Sequence, residues 1–164
     1  MTGRLFATVC GICGFRLGEP IAKLEVSDLG FVSDARFPGR CLVMLHQHAT
    51  ELFDLSPAIR HAFADDVSVA ARAIKQSTNA FKMNYEILGN AEPHLHCHLI
   101  PRQLDEPKPK VPAWLHPEAQ NELAAAQAHE IKQRIVTHLH RAYVPSTPRS
   151  PGAPRAESIG DNHE

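Results

Sequence analysis

The run His94-Leu95-His96-Cys97-His98-Leu99-Ile100 constrains this chain more than any other stretch of its sequence. Successive side chains of a β-strand point to opposite faces, so residues two apart share a face. The spacing therefore predicts a strand with three imidazoles on one face and with Leu95, Cys97 and Leu99 turned toward a core. A helix would spread the three rings around its axis and leave them without a common site.

Two other segments predict the elements that pack around this strand. The unbroken apolar run at 41–45 is typical of a strand in the centre of a sheet. Ser56 followed by Pro57 predicts a helix start, because serine caps the first N–H groups and proline fits the first turn. That helix would carry an apolar stripe at intervals of three and four residues, formed by Ile59, Phe63, Val67, Ala70 and Ile74.

Shorter signals complete a predicted α+β fold. Strands at 24–26 and 31–32 would flank a turn at Ser27-Asp28. Residues 79–88 would form another strand, and Gly89-Asn90 would make the turn between it and the histidine run. A second helix is expected to begin at Pro117. Its apolar stripe would consist of Leu123, Ala128, Ile131, Ile135 and Leu139.

These signals divide the chain into three parts. Residues 1–104 would form the functional domain, and 105–144 a loop and a C-terminal helix packed on it. The segment 145–164 is rich in proline, serine, arginine and glycine, which predicts a disordered tail.

Composition restricts the classes of function. A chain of 164 residues with a net charge of -1 offers no basic field for nucleic acid. It has no apolar run of about 18 residues that would span a membrane, and no signal-peptide pattern at its start. Cys10 and Cys13 form a CxxC pair, while Cys41 and Cys97 lie in apolar runs. That usage predicts a reducing compartment, the cytoplasm, rather than a disulfide framework.

Spacing alone leaves three interpretations of the histidine run. It could be a half-exposed strand whose polar side chains face water, or a metal centre, since imidazole is a common metal ligand. It could also provide a nucleophile. A neutral imidazole can attack phosphorus, and water easily breaks the phosphorus–nitrogen bond that forms.

The flanks of the run carry a resemblance to a known family. Asn84-Tyr85-Glu86-Ile87-Leu88-Gly89-Asn90-Ala91-Glu92-Pro93 leads into His94, Pro101-Arg102 follows the run, and 38–48 and 51–55 lie upstream. Together they resemble the histidine triad (HIT) superfamily of nucleotide hydrolases and transferases, over roughly residues 10–102. The resemblance implies an antiparallel sheet of about five strands with a packed helix, and a homodimer formed by joining sheets.

The resemblance also implies a role for each histidine. His96 would be the nucleophile that attacks the α-phosphorus of a nucleotide conjugate and carries a transient nucleotidyl group. His98 would hydrogen-bond the phosphate or the leaving group, and His94 would orient the site. The expected product is a nucleoside monophosphate. The expected substrates are dinucleoside polyphosphates or nucleoside phosphoramidates, with adenosine as the nucleoside.

Substrate contacts follow from the same resemblance. Asn90 would touch the phosphate, Asn84 would line the same pocket, and Asp34 would contact the ribose. Two further residues are candidates from the sequence itself. Arg102 would support the phosphate site or pair with a carboxylate. Trp114 would cover the site, reach across a dimer interface or fill the core.

Some bacterial members of the superfamily bind zinc, which suggests the two further ligands that would complete a site with the CxxC pair. By resemblance, Cys10, Cys13, His48 and His94 would form a closed, structural Cys₂His₂ zinc site. His46 lies where the family usually has proline, and it would compete with His48 as a ligand or contact the substrate. Alternatively, the two cysteines would be unligated thiols or a redox pair.

Two rival functions remain open at this point. A metal-dependent hydrolase would use all three histidines as ligands. A non-catalytic module would bind adenine nucleotides without turning them over.

Overall fold

The computed structural model describes residues 9–116 and 121–143 and confirms the predicted α+β fold. Within these residues, five antiparallel strands form a sheet in the order β1-β2-β3-β5-β4. The strands are β1 (Glu19–Lys23), β2 (Ser27–Phe31), β3 (Cys41–Leu45), β4 (Lys82–Glu86) and β5 (His96–Arg102). The helices are α1 (Pro57–Thr78) and α2 (Ala125–Tyr143). Neither helix is long and apolar enough to cross a membrane.

Strand β5 lies inside the sheet, between β3 and β4. Opposite His98 stand Leu42 on β3 and Glu86 on β4. All five residues of β3 are buried, as the apolar run predicts. Hydrogen bonding on both sides therefore fixes the backbone that carries the histidines.

The two faces of the sheet are covered in different ways. Helices α1 and α2 cover the face from which Val43, Cys97 and Leu99 point, and together they form the main core. The segment 9–17 covers the other face, where Phe15 and Leu17 pack on β3. Since Cys97 and Leu99 face the helices, His96 and His98 face the opposite side.

A glycine makes the close approach of segment 9–17 possible. A Cβ atom on Gly30 of strand β2 would lie 2.5 Å from Cγ of Leu17. Any larger residue would therefore push this segment off the sheet.

The turn between the first two strands differs from the sequence prediction. Ser27 and Asp28 belong to β2, and the chain turns at 24–26. The carboxylate of Asp66 on α1 accepts hydrogen bonds from the backbone of Glu25 and Val26 at 3.1 and 2.9 Å, and from Ser27 Oγ at 2.7 Å. A side chain about forty residues away thus holds the turn, which local patterns cannot reveal.

The helices follow the predicted stripes more closely than the predicted ends. Ser56 Oγ accepts from the N–H of Ile59 at 3.4 Å, as expected for a cap.

Helix α2 begins at Ala125 rather than at Pro117, which lies outside the described residues. Before it, the N–H of Leu123 donates to Ser33 Oγ at 3.2 Å, which holds 121–123 against the loop after β2. The five stripe residues of this region are buried. The predicted tail at 145–164 is likewise outside the described residues.

We expect Asp66→Ala to lower the free energy of unfolding by about 2–4 kcal/mol, because it leaves buried donors of the turn without a partner. Urea denaturation measures this change. The exposed neighbour Asp65 provides the control, since Asp65→Ala should change stability by less than about 0.5 kcal/mol. Equal stabilities of the two variants would contradict the anchoring role of Asp66.

Candidate active site

The three histidines occupy the face of the sheet opposite the helices, although His94 precedes the strand. Strand β5 begins at His96, two residues later than the spacing predicts. The rings of His94 and His96 still lie on one side, because Phe15 stacks on both, with centroid distances of 5.5 and 4.6 Å. Both histidines are buried, and Phe15 keeps water from one side of their rings.

A chain of hydrogen bonds assigns the protons of these rings. Nδ1 of His96 lies 2.6 Å from the carbonyl oxygen of His94, so Nδ1–H donates to it and Nε2 is left unprotonated. Nε2 of His98 lies 3.2 Å from that nitrogen. Arg40 Nη2 lies 3.2 Å from Nδ1 of His98 and donates to it. His98 therefore carries its proton on Nε2 and donates it toward His96.

The surroundings of His98 keep its ring neutral. Burial, then the positive charge of Arg40 and then the neighbouring His96 lower the pKa of His98 to about 4. A neutral His98 can donate a hydrogen bond from Nε2 near pH 7 while adding no charge beside the nucleophile candidate.

Asp34 holds Arg40 in place. Its carboxylate accepts from Arg40 Nη1 at 2.9 Å and from Arg36 at the backbone N–H, Nε and Nη2, at 2.9–3.1 Å. Burial opposes ionisation, but the hydrogen bonds from Arg36 and Arg40 outweigh it and lower the pKa of Asp34. Asp34, expected at the ribose, thus lies buried beneath two guanidinium groups.

A cavity of about 220 Å³ opens over His96 and His98. The turn 88–92 forms its other wall and brings Asn90 beside the two rings. The left-handed φ of 70° at Gly89 makes this turn possible.

Asn84 lies in a different environment from Asn90. Its Oδ1 accepts from Nη1 of buried Arg102 at 2.6 Å. Arg102 also pairs with Glu106, and its Nη2 lies 3.1 Å from Nε2 of His116. Of the two roles considered for Arg102, the structure therefore shows the one with a carboxylate partner. These contacts fasten the loop 103–116 to the end of β5.

The fastened loop places Trp114 at the surface, with 62% of the residue exposed. Trp114 lines both a cavity of about 400 Å³ beside Asn84 and a smaller one beside His98. It is therefore not a core residue, and it lies at the rim of the histidine-bearing face.

Four metal-ligating side chains meet beside His96. The ligand atoms of Cys10, Cys13, His48 and His94 all lie within 4.8 Å of one another. Cys10 Sγ is 3.7 Å from Nδ1 of His48, and Cys13 Sγ is 3.5 Å from Nδ1 of His94. A tetrahedral zinc ion with sulfur and nitrogen ligands needs edges of about 3.3–3.8 Å between them. The two sulfur–nitrogen distances match these edges, and the other separations within the cluster are at most 4.8 Å.

The protonation states in this cluster also suit a metal. Nε2–H of His94 donates to the carbonyl of Leu45 at 2.9 Å, which leaves Nδ1 unprotonated toward the sulfurs. Burial lowers the pKa of His94 and keeps its ring neutral. Burial acts to raise the pKa of Cys10, but hydrogen bonds from Cys13 and from the N–H of Ile12 lower it. A thiolate at Cys10 is the form that binds metal.

Two other arrangements fit the geometry less well. His46 lies outside the cluster, with Nε2 3.1 Å from the carboxylate of Asp28. A centre that used all three histidines of the run would need lone pairs aimed at one point. Instead, Nδ1 of His98 faces the guanidinium of Arg40, which would repel a cation.

Sequence reasoning missed three residues of this site: Phe15, Arg40 and Glu86. Phe15 and Arg40 reach the histidines from segments distant in sequence, and Glu86 reaches them from the neighbouring strand β4. Only the pairing of β3, β4 and β5 shows that Arg40 and Glu86 approach His98 from opposite sides. In the sequence, Arg40 shows only as a charged residue directly before the predicted strand 41–45. Glu86 shows only as a charged residue within the predicted strand 79–88.

Comparisons with known proteins agree with this geometry. Residues 29–105 match the HIT domain. The structure is similar to a histidine triad (HIT) protein of Sinorhizobium meliloti, with 25% identity and a TM-score of 0.68 over 74% of this chain and 90% of that chain. No protein with a curated description matches the sequence.

Two more distant structures share the fold. One is a Zn-bound histidine triad family protein of Mycobacterium smegmatis, with 18% identity and a TM-score of 0.55 over 75% of this chain and 84% of that chain. The other is a diadenosine triphosphate hydrolase of Plasmodium falciparum, with 16% identity and a TM-score of 0.53 over 80% of this chain and 82% of that chain.

We expect Arg40→Gln to raise the pKa of His98 from about 4 toward its ordinary value of 6.5, since it removes a neighbouring positive charge. Ring ¹⁵N NMR titration of the histidines measures this. Arg36→Gln is the matched control, because Arg36 also binds Asp34 but makes no hydrogen bond to His98 in the structure.

In the unmodified protein, His98 should oppose folding at low pH. Between pH 6.5 and about 4 this histidine is protonated in the unfolded chain but not in the folded one, so its contribution to stability falls as the pH decreases. A His98 that titrates near 6.5 in the folded protein would contradict this account of the site.

Proposed function

Because residues 29–105 match the HIT domain and the fold is similar to that of a solved HIT protein, we propose that this chain is an enzyme that hydrolyses or transfers at the α-phosphate of nucleotide conjugates. The observation that carries the proposal is the state of His96. Its Nδ1–H is bound to a backbone carbonyl, which leaves Nε2 unprotonated, and the residue lines a cavity of about 220 Å³.

In the first step, the lone pair of Nε2 on His96 would attack the α-phosphorus, and the bond from phosphorus to the leaving group would break with its electrons on the leaving group. The carbonyl of His94 would stabilise the positive charge that develops on the ring of His96. Nε2–H of His98 would turn from His96 to a phosphate oxygen. Asn90 would donate a further hydrogen bond from the turn.

In the second step, water would attack phosphorus on the opposite side of the phosphorus–nitrogen bond. That bond would break with its electrons on Nε2 of His96, and a proton from the water would pass to solvent. The products are a nucleoside monophosphate and the regenerated neutral histidine. An alcohol or phosphate acceptor in place of water would give transfer.

We propose adenosine conjugates as substrates, either dinucleoside polyphosphates or phosphoramidates. The diadenosine triphosphate hydrolase that shares this fold supports the first class. In this proposal Asn84 and Asp34 act indirectly, through Arg102 and Arg40, with which they form hydrogen bonds. The rival function is a module that binds adenosine monophosphate without turnover.

We further propose that Cys10, Cys13, His48 and His94 bind zinc. Zinc would supply structural cross-linking, because four protein ligands leave no position for water. The distances within the cluster and the Zn-bound protein of similar fold support this. All four cysteines are free thiols, which suits the reducing conditions of the cytoplasm.

A homodimer is proposed through strand β4. This strand is at the edge of the sheet and exposes Tyr85, while Phe81 and Ile87 beside it are exposed as well. An exposed apolar edge favours pairing with a second copy, which would join two sheets.

His96→Ala should lower kcat by at least about 10⁴-fold, because it removes the nucleophile. Product analysis with diadenosine polyphosphates and an adenosine phosphoramidate measures this, and mass spectrometry of the quenched unmodified enzyme should detect a nucleotidyl adduct. The exposed His61 on α1 provides the control, since His61→Ala should retain full activity. Turnover that survives in His96→Ala would disprove nucleophilic catalysis by this residue.

The double variant Cys10→Ser/Cys13→Ser should lose bound zinc and show a lower melting temperature. Metal content by mass spectrometry, on protein prepared without chelators, measures this. His46→Asn is the control and should keep its zinc, because His46 lies outside the cluster. Zinc retained by the double variant would point to another set of ligands.

A further inference from the structure

A further cavity, of about 400 Å³, lies at the edge of the sheet, between strand β4 and the loop 109–114. Its volume is within the range of small-molecule sites, about 300–1,000 Å³. None of the three histidines of the run is among the described residues that line it. The cavity therefore lies outside the proposed reaction, which gives it no role.

The alternation of side chains along β4 determines which of them reach this cavity. Met83 belongs to the main core beneath the helices, so its neighbours Lys82 and Asn84 point to the opposite, histidine-bearing face. A second copy that pairs with the backbone edge of β4 would leave these two side chains on that face. The proposed homodimer therefore does not require them for pairing.

Asn84 offers a hydrogen-bond donor at the cavity. Arg102 donates to its Oδ1 at 2.6 Å, which identifies that atom as the oxygen and the other as the Nδ2 amino group. Among the described residues nothing accepts a hydrogen bond from Nδ2, yet it is not one of the buried polar atoms that lack a partner. This amino group therefore keeps accessible surface and can donate to a ligand.

Two lysines add positive charge to the same cavity. Lys82 lines it from β4 and Lys110 from the loop, and both are exposed. Neither forms an ion pair or a side-chain hydrogen bond with another described residue. Arg102 also lines the cavity, and Glu86 is the one carboxyl group among the lining residues, so positive charge is in excess. Such an excess attracts an anion.

Trp114 adds an aromatic group to the wall of the cavity. It is largely exposed, although the loop that carries it is fastened to Arg102 through Glu106 and His116. An exposed indole that is held in place can stack on a planar ring, and stacking would remove apolar surface from water. Aromatic side chains beside cationic ones are typical of sites for ligands that combine a ring with a phosphate.

We infer that this cavity is a second ligand site, separate from the histidines, which binds a phosphate ester of an aromatic group. The ammonium groups of Lys82 and Lys110 pair with the phosphate oxygens. Nδ2–H of Asn84 donates to the phosphate as well, and the ring stacks on Trp114. The ligand is bound here without being turned over, because no histidine nucleophile lines the cavity.

Labelling of the full-length protein with pyridoxal 5′-phosphate tests the site. This probe is an aromatic phosphate whose aldehyde condenses with a lysine amine and releases water, and borohydride then reduces the imine to a stable amine. Peptide mass spectrometry should find Lys82 or Lys110 labelled at least about 10-fold more than Lys108, because the bound probe is held beside them. Lys108 is the matched control, since it is exposed on the same loop but does not line the cavity.

Phenyl phosphate provides a second measurement, in which calorimetry gives the affinity. The double variant Lys82→Gln/Lys110→Gln should bind it at least about 10-fold more weakly than the unmodified protein, whereas Lys108→Gln should bind it equally well. The unmodified protein should also bind phenyl phosphate more tightly than inorganic phosphate, and Trp114→Leu should remove that preference. All of these substitutions are at exposed positions, so the variants should fold.

Three outcomes would overturn the inference. Equal labelling of Lys82, Lys110 and Lys108 would mean that no site holds the probe. Phenyl phosphate binding that survives in the double variant would place the ligand elsewhere, with the cavity over His96 as the first candidate. Equal affinity for phenyl phosphate and inorganic phosphate would exclude a contact with the ring. None of these measurements depends on turnover, so each stands whether or not the proposed function holds.

Discussion

The proton on Nδ1 of His96 is held by the carbonyl of His94, and much of this structure keeps that hydrogen bond in place. The carbonyl stays where it is because the ring of His94 is fixed on both sides, by Leu45 and by the thiol of Cys13. Phe15 stacks on both rings. A chain segment far from strand β5 in sequence thus helps to determine which nitrogen of His96 is unprotonated.

A second set of contacts fixes the ring of His98, whose Nε2 lies beside Nε2 of His96. Asp34 holds Arg40 against His98, and burial together with the charge of the guanidinium lowers the pKa of His98 and keeps its ring neutral. A phosphate in the cavity over His96 and His98 would therefore meet the fixed N–H donor of His98, whose ring Arg40 holds from its other side. Such preorganised groups stabilise negative charge on a transition state without reorganising during the reaction.

The sequence predicted those parts of the molecule that depend on local spacing. The alternate histidines, the cap at Ser56 and the buried run 41–45 each follow from a pattern within a few residues. The turn at 24–26 could not be found in this way, because Asp66 on a distant helix stabilises it. Likewise, the approach of Glu86 to His98 depends on strand register, which the order of residues in each strand does not determine.

The loop 103–116 has two buried points of attachment and an exposed segment between them. Its two ends are fastened to Arg102 through Glu106 and His116, which are buried, while Trp114 between them is exposed at the rim of two cavities. Stability resides in the fastened ends, so mutation of the exposed middle carries little folding cost. Substitutions at the exposed rim of the histidine-bearing face can therefore accumulate while the buried contacts that hold the loop to strand β5 stay unchanged.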